Sequence, residues 1–547
     1  MKNILKWPAI AALSLLFPTY YAAAQQTAAH DMDYYIAHAP FKMPAVTEPK
    51  FAGKIFNIKD YGAIGDGQTL NTTAIDKAIT ACNAAGGGTV LVPPGLWLTG
   101  PIEMKSNVNL HTERGTLVTF TTDHTQYPVI DGKTKVLLSG NKLENVAITG
   151  EGIFDGGGDT WRPLKKSKAS PTLWADMLKA GGVVSKDGSM LWPTKEGMNG
   201  EEYLKTLKGK TNLTEKDYLP ARDFLRPALA SITNSKNVLF DGPTFKNSPQ
   251  FALNPKGCTN MIIRNVTIFN EYHAQNGDAI DLSSCKNAVV YHCTVHAGDD
   301  GICMKSSGGK GDALNDPALK NIIIADCIVY HAHGGFVIGS NTDGGMQNVY
   351  VTNCNFVNTD IGIRVKSSRG RGGPVHDIYV DNIYMHDILN EAVLFSTYYE
   401  DEKPGEPGQK FEVNAKTPIF KDFYLSHIYG SGAKSAISIT GLPEMPVSKL
   451  HFSDIVLSAD KGVDITEASD IDLKNVKILS PQKNLFTANN AWNISLDNIG
   501  FTDKVSTFIN VSGEKSKAIN ITGSNLKSVK EAVKAGAGSS IGVVAVK

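Results

Sequence analysis

NAVVYHCTV, from Asn287 to Val295, is the stretch that decides the fold, because variants of it recur along the chain. Each copy opens on a polar residue, alternates apolar side chains and returns to Asn, Asp or His before a second short apolar run. The strongest copies are NVLFDG from Asn237, NMIIRNVTI from Asn260, NIIIADCIV from Asn321, NVYVTNCNF from Asn348 and DIYVDNIYM from Asp377. Weaker copies continue as far as INITGSN from Ile519.

The spacing of these copies indicates a solenoid. Between Asn237 and Asp377 they begin 23, 27, 34, 27 and 29 residues apart, and recurrence at such a period is typical of stacked repeats. Alternation with period two, rich in Val, Ile and Thr, indicates strands. The pattern lacks the helical segments of a leucine-rich repeat and the longer blades of a β-propeller. The sequence therefore predicts an all-β fold, a right-handed parallel β-helix in which each coil covers the next.

Two segments depart from the repeat. The run from Asn71 to Ala85, followed by three glycines, predicts a helix that caps the N-terminal end of the solenoid. From about residue 156 to 225 the alternation stops and helix-like segments appear, which predicts a partly helical insertion between coils. Its tryptophans, Trp161, Trp174 and Trp192, either wall a sugar site or form the insertion's own small core.

The N-terminal residues have the pattern of an export signal. Two lysines precede an apolar run from Trp7 to Phe17, and three alanines follow before Gln25. The run is shorter than the roughly 20 residues that span a membrane. We therefore expect residues 1–24 to be a signal peptide and residues 25–547 to form a single parallel β-helix domain that is periplasmic or secreted, without a membrane span.

Composition limits the classes of partner. The chain has 54 Lys and Arg residues against 54 Asp and Glu residues, so its overall charge gives no reason to expect nucleic acid as a partner. Any preference for an acidic substrate must therefore be local. We expect a monomer.

The cysteines follow the repeat. Three of the seven, Cys293, Cys327 and Cys354, each lie six residues after the Asn that opens a copy. Free buried Cys behaves as a small apolar residue. The pattern therefore predicts stacked thiols in the core, in preference to disulfides or a metal site.

Several polar residues lie about one coil apart. Asp278 and Asp299 are 21 residues apart, Asp300 and His333 are 33 apart, and His333 and Arg364 are 31 apart. On a β-helix, equivalent points of successive coils are neighbours, so these side chains should share one strip of surface. Three carboxyls placed this closely cannot all ionise easily, and at least one pKa should be raised.

Four motifs in this region resemble the ordered motifs of the polygalacturonase family of glycoside hydrolases. NGDAID from Asn276, GDD from Gly298, AHGG from Ala332 and IRVK from Ile363 are similar to NTDGID, GDD, GHG and RIK in that family. YGAIGDG from Tyr61 also resembles the start of pectin-degrading β-helices, and the similarity covers roughly residues 56–399. Four motifs in order are specific, whereas one alone is not.

The resemblance implies a chemistry. It implies inverting hydrolysis of α-1,4-galacturonosidic bonds in pectin or polygalacturonate, an acidic plant cell-wall polysaccharide or its oligosaccharides, with no cofactor and no metal. Asp299 would be the general acid, and Asp278 and Asp300 would activate water. His333 would tune the acid. Gly277 stands where the family has Thr, which removes no group needed for this chemistry.

The same motifs are expected to bind substrate. Arg364 and Lys366 alternate with apolar residues, so both cations face one side and suit a sugar carboxylate. The alternative is a solvated surface pair. By the resemblance, Asn276 and Tyr398 would also contact the substrate, Tyr398 as the tyrosine that follows the cations. Asp281 is expected to be structural.

Other interpretations stay open. His331 and His333, with His292 and His296 a coil earlier, could hold a metal. A polysaccharide lyase would use calcium and a cationic base on the same fold, and a non-catalytic β-helix would bind the polymer and leave it whole. Among hydrolases, a decorated pectin such as rhamnogalacturonan is an alternative substrate. The insertion favours exo action, because it is placed to close one side of the groove.

Overall fold

Three parallel sheets form the body of the molecule. The structure, a computed structural model, describes residues 30–308, 313–399 and 409–547. Each coil passes from the first sheet to the second, then to the third, before returning to the first. Strands pair in register along the solenoid, so that Ile262 lies opposite Val289 and Val289 opposite Ile323. The predicted right-handed parallel β-helix is confirmed.

Most strands are short and belong to one sheet. The first sheet contains Ile55–Asn57, Gly88–Val92, Val108–Thr112, Glu144–Gly150, Lys236–Asp241, Thr259–Arg264, Lys286–Tyr291, Leu319–Ala325, Lys517–Thr522 and Val544–Val546. The second contains Gly95–Thr99, Thr116–Phe120, Ile153–Asp155, Thr244–Lys246, Thr267–Phe269, Thr294–His296, Ile328–Tyr330 and Gly500–Phe501. The third contains Ile102–Glu103, Leu138–Asn141, Ala230–Thr233, Ile280–Ser283, Asp300–Lys305, Gly334–Ile338, Ile363–Lys366, Glu391–Ser396, Thr507–Ser512 and Glu531–Ala535. Longer strands run through more than one sheet: Met346–Val357, Pro374–His386, Ile419–Thr440, Val447–Leu479 and Asn484–Asp497.

The recurring Asn has a conformational reason. Asn260, Asn287, Asn321 and Asn348 have φ between 56° and 59°, the left-handed region that Asn tolerates better than most residues. Their side chains form a ladder, in which the amide of Asn321 donates to Asn287 at 2.9 Å and that of Asn348 donates to Asn321 at 2.9 Å. The second polar position of each copy, such as His292, is also left-handed. These two positions bend the chain on either side of the first-sheet strand.

The interior of the solenoid is a continuous apolar core. Inward side chains from all three sheets stack coil on coil, and Cys293, Cys327 and Cys354 form one such column. All seven cysteines are buried and free. The predicted core thiols are therefore confirmed.

A helix covers the N-terminal end of the solenoid. Thr72–Ala84 buries Ile75, Ala78 and Ile79 against the first strands and ends before three successive glycines with positive φ. The other α-helices are Met32–Ala37, Pro171–Lys179, Lys195–Leu207 and Glu215–Tyr218. Short 3₁₀ turns are Ile58–Tyr61, His124–Gln126, Gly158–Thr160, Lys166–Lys168, Leu219–Ala221 and Ile541–Val543.

The segment between Ile153–Asp155 and Ala230–Thr233 departs from the coils. Besides its helices it holds a small antiparallel sheet of Leu164–Lys165, Met190–Trp192 and Val183–Val184, and a hairpin of Val129–Ile130 and Lys133–Thr134 precedes it. Trp161 is buried and its ring stacks on His124 at 3.5 Å between centroids. Trp192 is buried against Phe224. Trp161 is part of the main apolar core of the solenoid, Trp192 packs within the insertion, and Trp174 is half-buried.

An N-terminal segment that the repeat pattern did not predict lies on the outer face of the first sheet. Tyr35, Met43 and Val46 are buried there against outward side chains of the sheet, among them Leu239 and Ile262. The hydroxyl of Tyr35 also bonds to a carboxylate, that of Asp326. Residues 30–51 therefore act as an apolar strap across several coils.

The export prediction falls outside the described part of the chain. Residues 1–24, predicted as a signal peptide, are not among the described residues. Within the residues that are described, every helix is too short or too polar to cross a membrane.

Candidate active site

The candidate site lies on the third sheet, where strands of successive coils begin. Asp278 precedes Ile280–Ser283, Asp300 opens Asp300–Lys305, and His333 precedes Gly334–Ile338. Ile280 lies opposite Ile302, and Asp300 lies opposite Gly334. Because stacked strands are about 4.8 Å apart, this register brings side chains distant in sequence into contact.

Three carboxyls meet at this point. Asp278, Asp299 and Asp300 each present an oxygen within 4.8 Å of the others. The side chains of Asp278 and Asp300 are 6% and 4% exposed, whereas that of Asp299 is 17% exposed. Asp299 is therefore the carboxyl of the three most open to a ligand.

Two cations of the IRVK motif contact Asp300. Lys366 Nζ lies 2.8 Å from Oδ2 and 3.1 Å from Oδ1 of Asp300, and Arg364 Nη1 lies 3.4 Å from Oδ1. Ile363 and Val365 point into the core, as the alternation predicts. Lys366 is itself buried, so its partner is the enzyme's own carboxylate rather than solvent.

A third cation, Lys305, lies outside the four motifs and forms an ion pair with Asp278. Lys305 Nζ lies 3.0 Å from Oδ2 of Asp278 and 2.7 Å from Oδ1 of Asp281. Asp281 is fully buried, which agrees with the structural role expected for it. Lys305 ends the strand that Asp300 opens, so alternation along that strand could have drawn attention to it.

Asp299 is paired with His333. Nδ1 of His333 lies 3.0 Å from Oδ1 of Asp299, and the backbone N–H of His333 donates to the carbonyl of Asp299 at 2.7 Å. On the other side of the ring, Nζ of Lys168 lies 2.8 Å from Nε2. Lys168 comes from the insertion, and no sequence signal distinguished it.

The three carboxyls differ in pKa. Burial raises the pKa of Asp278 well above its ordinary value, against the opposing charge of Lys305. Burial also acts on Asp300, but the charges of Lys366, Lys305 and Arg364 outweigh it and hold its pKa well below the usual range. For Asp299, burial is the largest influence and raises the pKa, but the hydrogen bond from His333 and the nearby positive charges, among them that of Lys366, together outweigh it and lower the pKa. Of the three carboxyls, Asp278 is therefore the one whose pKa is raised, whereas Asp299 and Asp300 ionise more readily.

Asn276 is held by a buried arginine. Arg226 donates to the side-chain oxygen of Asn276 and to the carbonyl of Gln275, both at 2.8 Å. Burial lowers the pKa of Arg226 to about 10, which leaves it charged near neutrality. A Cβ at Gly277 would lie 2.9 Å from the Cβ and carbonyl oxygen of Ala274, so this loop has little room for a larger residue at that position.

The structure places Tyr399, not Tyr398, beside the cations. Lys366 Nζ is 4.7 Å and the guanidinium of Arg364 is 5.6 Å from the Tyr399 ring. The Tyr398 ring contacts Arg369 instead, at 5.4 Å. The two tyrosines are adjacent, and an alignment without structure cannot tell which one faces the cations.

The histidines of the metal hypothesis do not come together as a ligand set, although the rings of His296 and His331 lie 6.1 Å apart between centroids. His331 Nδ1 contacts the side-chain amide of Asn358, and the His296 ring stacks on Tyr330. Within the described ranges, none of these histidines joins a group of three side chains able to ligate a metal. The carboxyls that do form such a group already have Lys305 and Lys366 as partners.

A cavity of about 580 Å³ lies between the insertion and the solenoid. Apolar side chains of the insertion form much of its wall, together with Arg162, His124 and His273. His273 follows Tyr272, whose carbonyl accepts a bond from Lys168. Neither the carboxyl triad nor Lys168 lines this cavity, but Lys168 contacts both His333 and the carbonyl of Tyr272, the residue before the cavity-lining His273.

Comparison with known proteins agrees with this geometry. The fold and the carboxyl cluster define a parallel β-helix glycoside hydrolase. Residues 212–463 match the model of Glycosyl hydrolases family 28, and residues 55–149 match that of Rhamnogalacturonase A/epimerase, pectate lyase-like. These matches, together with the relatives described next, support a protein of the polygalacturonase family of glycoside hydrolases.

Relatives span most of the chain. An exo-poly-α-D-galacturonosidase of Dickeya chrysanthemi is 27% identical over 461 residues, covering 80% of this chain and 72% of that protein. The structure of a hyperthermoactive exopolygalacturonase from Thermotoga maritima aligns with a TM-score of 0.65 at 28% identity, over 79% of this chain and 93% of that one. A family 28 exopolygalacturonase of Yersinia enterocolitica shares the fold, with a TM-score of 0.61 at 21% identity over 78% of this chain and 75% of that one.

Proposed function

We propose that this protein hydrolyses α-1,4-galacturonosidic bonds of pectin or polygalacturonate, from a chain end and with inversion. The observation that carries this proposal is the group of three carboxyls within 4.8 Å, held by His333 and by lysines of the enzyme. The family membership and the names of the relatives supply the substrate: the Dickeya protein is called an exo-poly-α-D-galacturonosidase.

Asp299 is the general acid in this proposal. It is the most exposed of the three carboxyls and the one that can reach a glycosidic oxygen. Carboxyls this close titrate as a coupled group, so Asp299 can take up a proton of the group when a sugar is bound. His333 then fixes the orientation of the acid.

Asp278 and Asp300 hold the attacking water. One water can bond to two oxygens at about 2.8 Å each when they are less than roughly 5.6 Å apart, and the oxygens here meet that condition. Typical inverting glycosidases separate acid and base by about 6.5–9.5 Å, more than the nearest oxygens here. The proposal of inversion therefore rests on the resemblance to the family, and the anomeric form of the first product tests it.

Cations beside the acids suit a uronate polymer. Lys366 is committed to Asp300, so Arg364, which lies over the Tyr399 ring, is the side chain proposed to meet a sugar carboxylate. An arginine fork matches a carboxylate in geometry and charge. Asn276 shares its oxygen with Arg226 and is proposed to shape the loop that receives the sugar.

Exo action follows from the position of the insertion. Through Lys168 the insertion reaches the carboxyl group, and it walls the cavity beside it. A surface strip closed on one side in this way accepts the end of a polysaccharide chain.

We also infer a single catalytic domain from residue 25 to 547, with the insertion at about 156–225, and an exported monomer.

The test is a time course of products from purified protein and polygalacturonate. Exo hydrolysis releases monomer or short units from the first minutes, without mid-length oligomers and without an ultraviolet-absorbing unsaturated product. The same assay on rhamnogalacturonan fractions distinguishes a decorated substrate. Early mid-length oligomers would contradict exo action, an unsaturated product would identify a lyase, and binding without cleavage would identify a non-catalytic β-helix.

A further inference from the structure

Lys168 touches the catalytic histidine from outside the solenoid. We propose that Lys168 is a positioning residue that fixes the tautomer of His333, so that Nδ1–H donates to Asp299. This inference rests on the proposed function, because it assigns a role in that reaction. It also gives the insertion a part in catalysis beyond closing the groove.

Three enzyme acceptors surround the ammonium of Lys168. Nζ lies 2.8 Å from the carbonyl of Gly298, 3.0 Å from the carbonyl of Tyr272 and 2.8 Å from Nε2 of His333. A lysine ammonium has three N–H donors and no acceptor. All three donors are therefore used inside the protein, which leaves none for a substrate carboxylate.

The contact decides which ring nitrogen carries the proton. Because an ammonium only donates, Nε2 of His333 must accept and cannot carry hydrogen. In the neutral ring the hydrogen then lies on Nδ1, 3.0 Å from Oδ1 of Asp299. Asp360 would favour the opposite tautomer, but its Oδ2 is 3.6 Å from Nε2, farther than Lys168.

Further contacts hold Lys168 in this position. Lys168 ends the turn Lys166–Lys168, and Nζ lies 4.3 Å from the centre of the Tyr272 ring. Gly298, one of the acceptors, directly precedes Asp299. Lys168 thus contacts both the backbone before the acid and the histidine that orients it.

The main test is the substitution Lys168→Met, which keeps the stem and removes the donors. We expect kcat on polygalacturonate to fall about tenfold to a hundredfold, since small errors in catalytic geometry cost rates of that order, with KM, product sizes and Tm close to those of the parent. Lys166→Met is the matched control, because Lys166 is exposed in the same turn and should leave kcat unchanged. An unchanged kcat in Lys168→Met would overturn the proposal.

Chemical rescue distinguishes a role that needs the ammonium of Lys168 from one that needs only a side chain of the same length. In Lys168→Cys, alkylation of the introduced thiol with 2-bromoethylamine, with loss of bromide, restores a side chain of lysine length with an ammonium. The seven native cysteines are buried, which favours selective labelling. Activity should return with this reagent and not with 1-bromopropane, which adds the same length without donors. Equal activity after both reagents, or no recovery with the amine, would contradict the proposal.

A direct reading of the tautomer does not depend on turnover. With ¹⁵N-labelled histidine, the parent should show Nε2 of His333 as an unprotonated nitrogen, assigned by its loss in His333→Gln, and Lys168→Met should lose that state. If the parent releases nothing from any galacturonan, the proposed function fails, yet this spectrum still tests Lys168. A protonated Nε2 in the parent would overturn the inference.

Discussion

Lys366 and Asp300 form a buried ion pair at the centre of the site. The ammonium nitrogen is 2.8 Å from the nearer carboxylate oxygen, and both side chains are 4% exposed. Lys366, which the motif suggested would bind substrate, thus binds a carboxylate of the protein itself. Its charge holds Asp300 ionised. The pair keeps a base charged next to Asp278, the carboxyl whose pKa burial raises.

Lys366→Met should move the acidic limb of the rate profile. Without this ammonium the pKa of Asp300 rises, so Asp300 loses its charge at higher pH than in the parent. We expect the acidic limb of kcat against pH to shift upward by about one pH unit or more. Lys434→Met, at an exposed lysine beside the same sheet, serves as the control. An acidic limb that stays in place would show that Asp300 does not need Lys366 to remain ionised.

Neutralising the two buried acids should cost different amounts of stability. Asp300→Asn breaks an ion pair and should destabilise the protein by about 3 kcal/mol near neutral pH, whereas Asp278→Asn replaces a carboxyl of raised pKa and should cost less. A carboxyl whose pKa is lower in the folded than in the unfolded protein stabilises the fold at pH values above its unfolded pKa. That stabilisation is lost as the pH falls through the folded pKa. The Tm gap between parent and Asp300→Asn should therefore narrow below about pH 4. A gap that widens on acidification would contradict the assignment.

Substrates with a good leaving group should identify the acid. Asp299→Asn should lower kcat on polygalacturonate by about a hundredfold or more but retain much more activity on an aryl α-galacturonide, whose leaving group needs little protonation. Asp278→Asn and Asp300→Asn should be impaired on both substrates, because they hold the water. Recovery in Asp278→Asn instead would make Asp278 the acid, in line with its raised pKa.

The N-terminal strap should contribute measurably to stability. Tyr35 is 1% exposed against the first sheet, and Tyr35→Ala should cost about 3 to 5 kcal/mol, as for other large buried rings. Its neighbour Tyr34 is 37% exposed, so Tyr34→Ala is a matched control with little expected effect. Thermal unfolding measures both. Equal Tm values for the two variants would show that the strap is dispensable, and kcat should be unaffected in either.

The coils were predictable because local rules repeat. Asn287 and His292 are polar where the chain needs a left-handed residue, and the apolar side chains between them alternate as a strand requires. Repetition of these rules at a steady period specifies a solenoid, and coil spacing alone brings Asp278 and Asp299 together. The fold and the proximity of the motif residues could thus be predicted from local sequence rules.

Contacts made across long sequence distances were not predictable in this way. Lys168 reaches His333 across 165 residues, from an insertion with no repeat to set its register. The strap carrying Tyr35 has no strand pattern of its own, and Tyr399 differs from Tyr398 only in which face it presents. In each case tertiary packing, rather than local sequence, decides the contact.

The central claim is that the carboxyl group hydrolyses α-galacturonosidic bonds with inversion at a chain end. Proton NMR of the first products from polygalacturonate tests it most directly, recorded before the anomers equilibrate. The account predicts saturated galacturonate units that appear first as the β-anomer, and no such signal with Asp299→Asn. Initial release of the α-anomer, or of an unsaturated uronate, would contradict it.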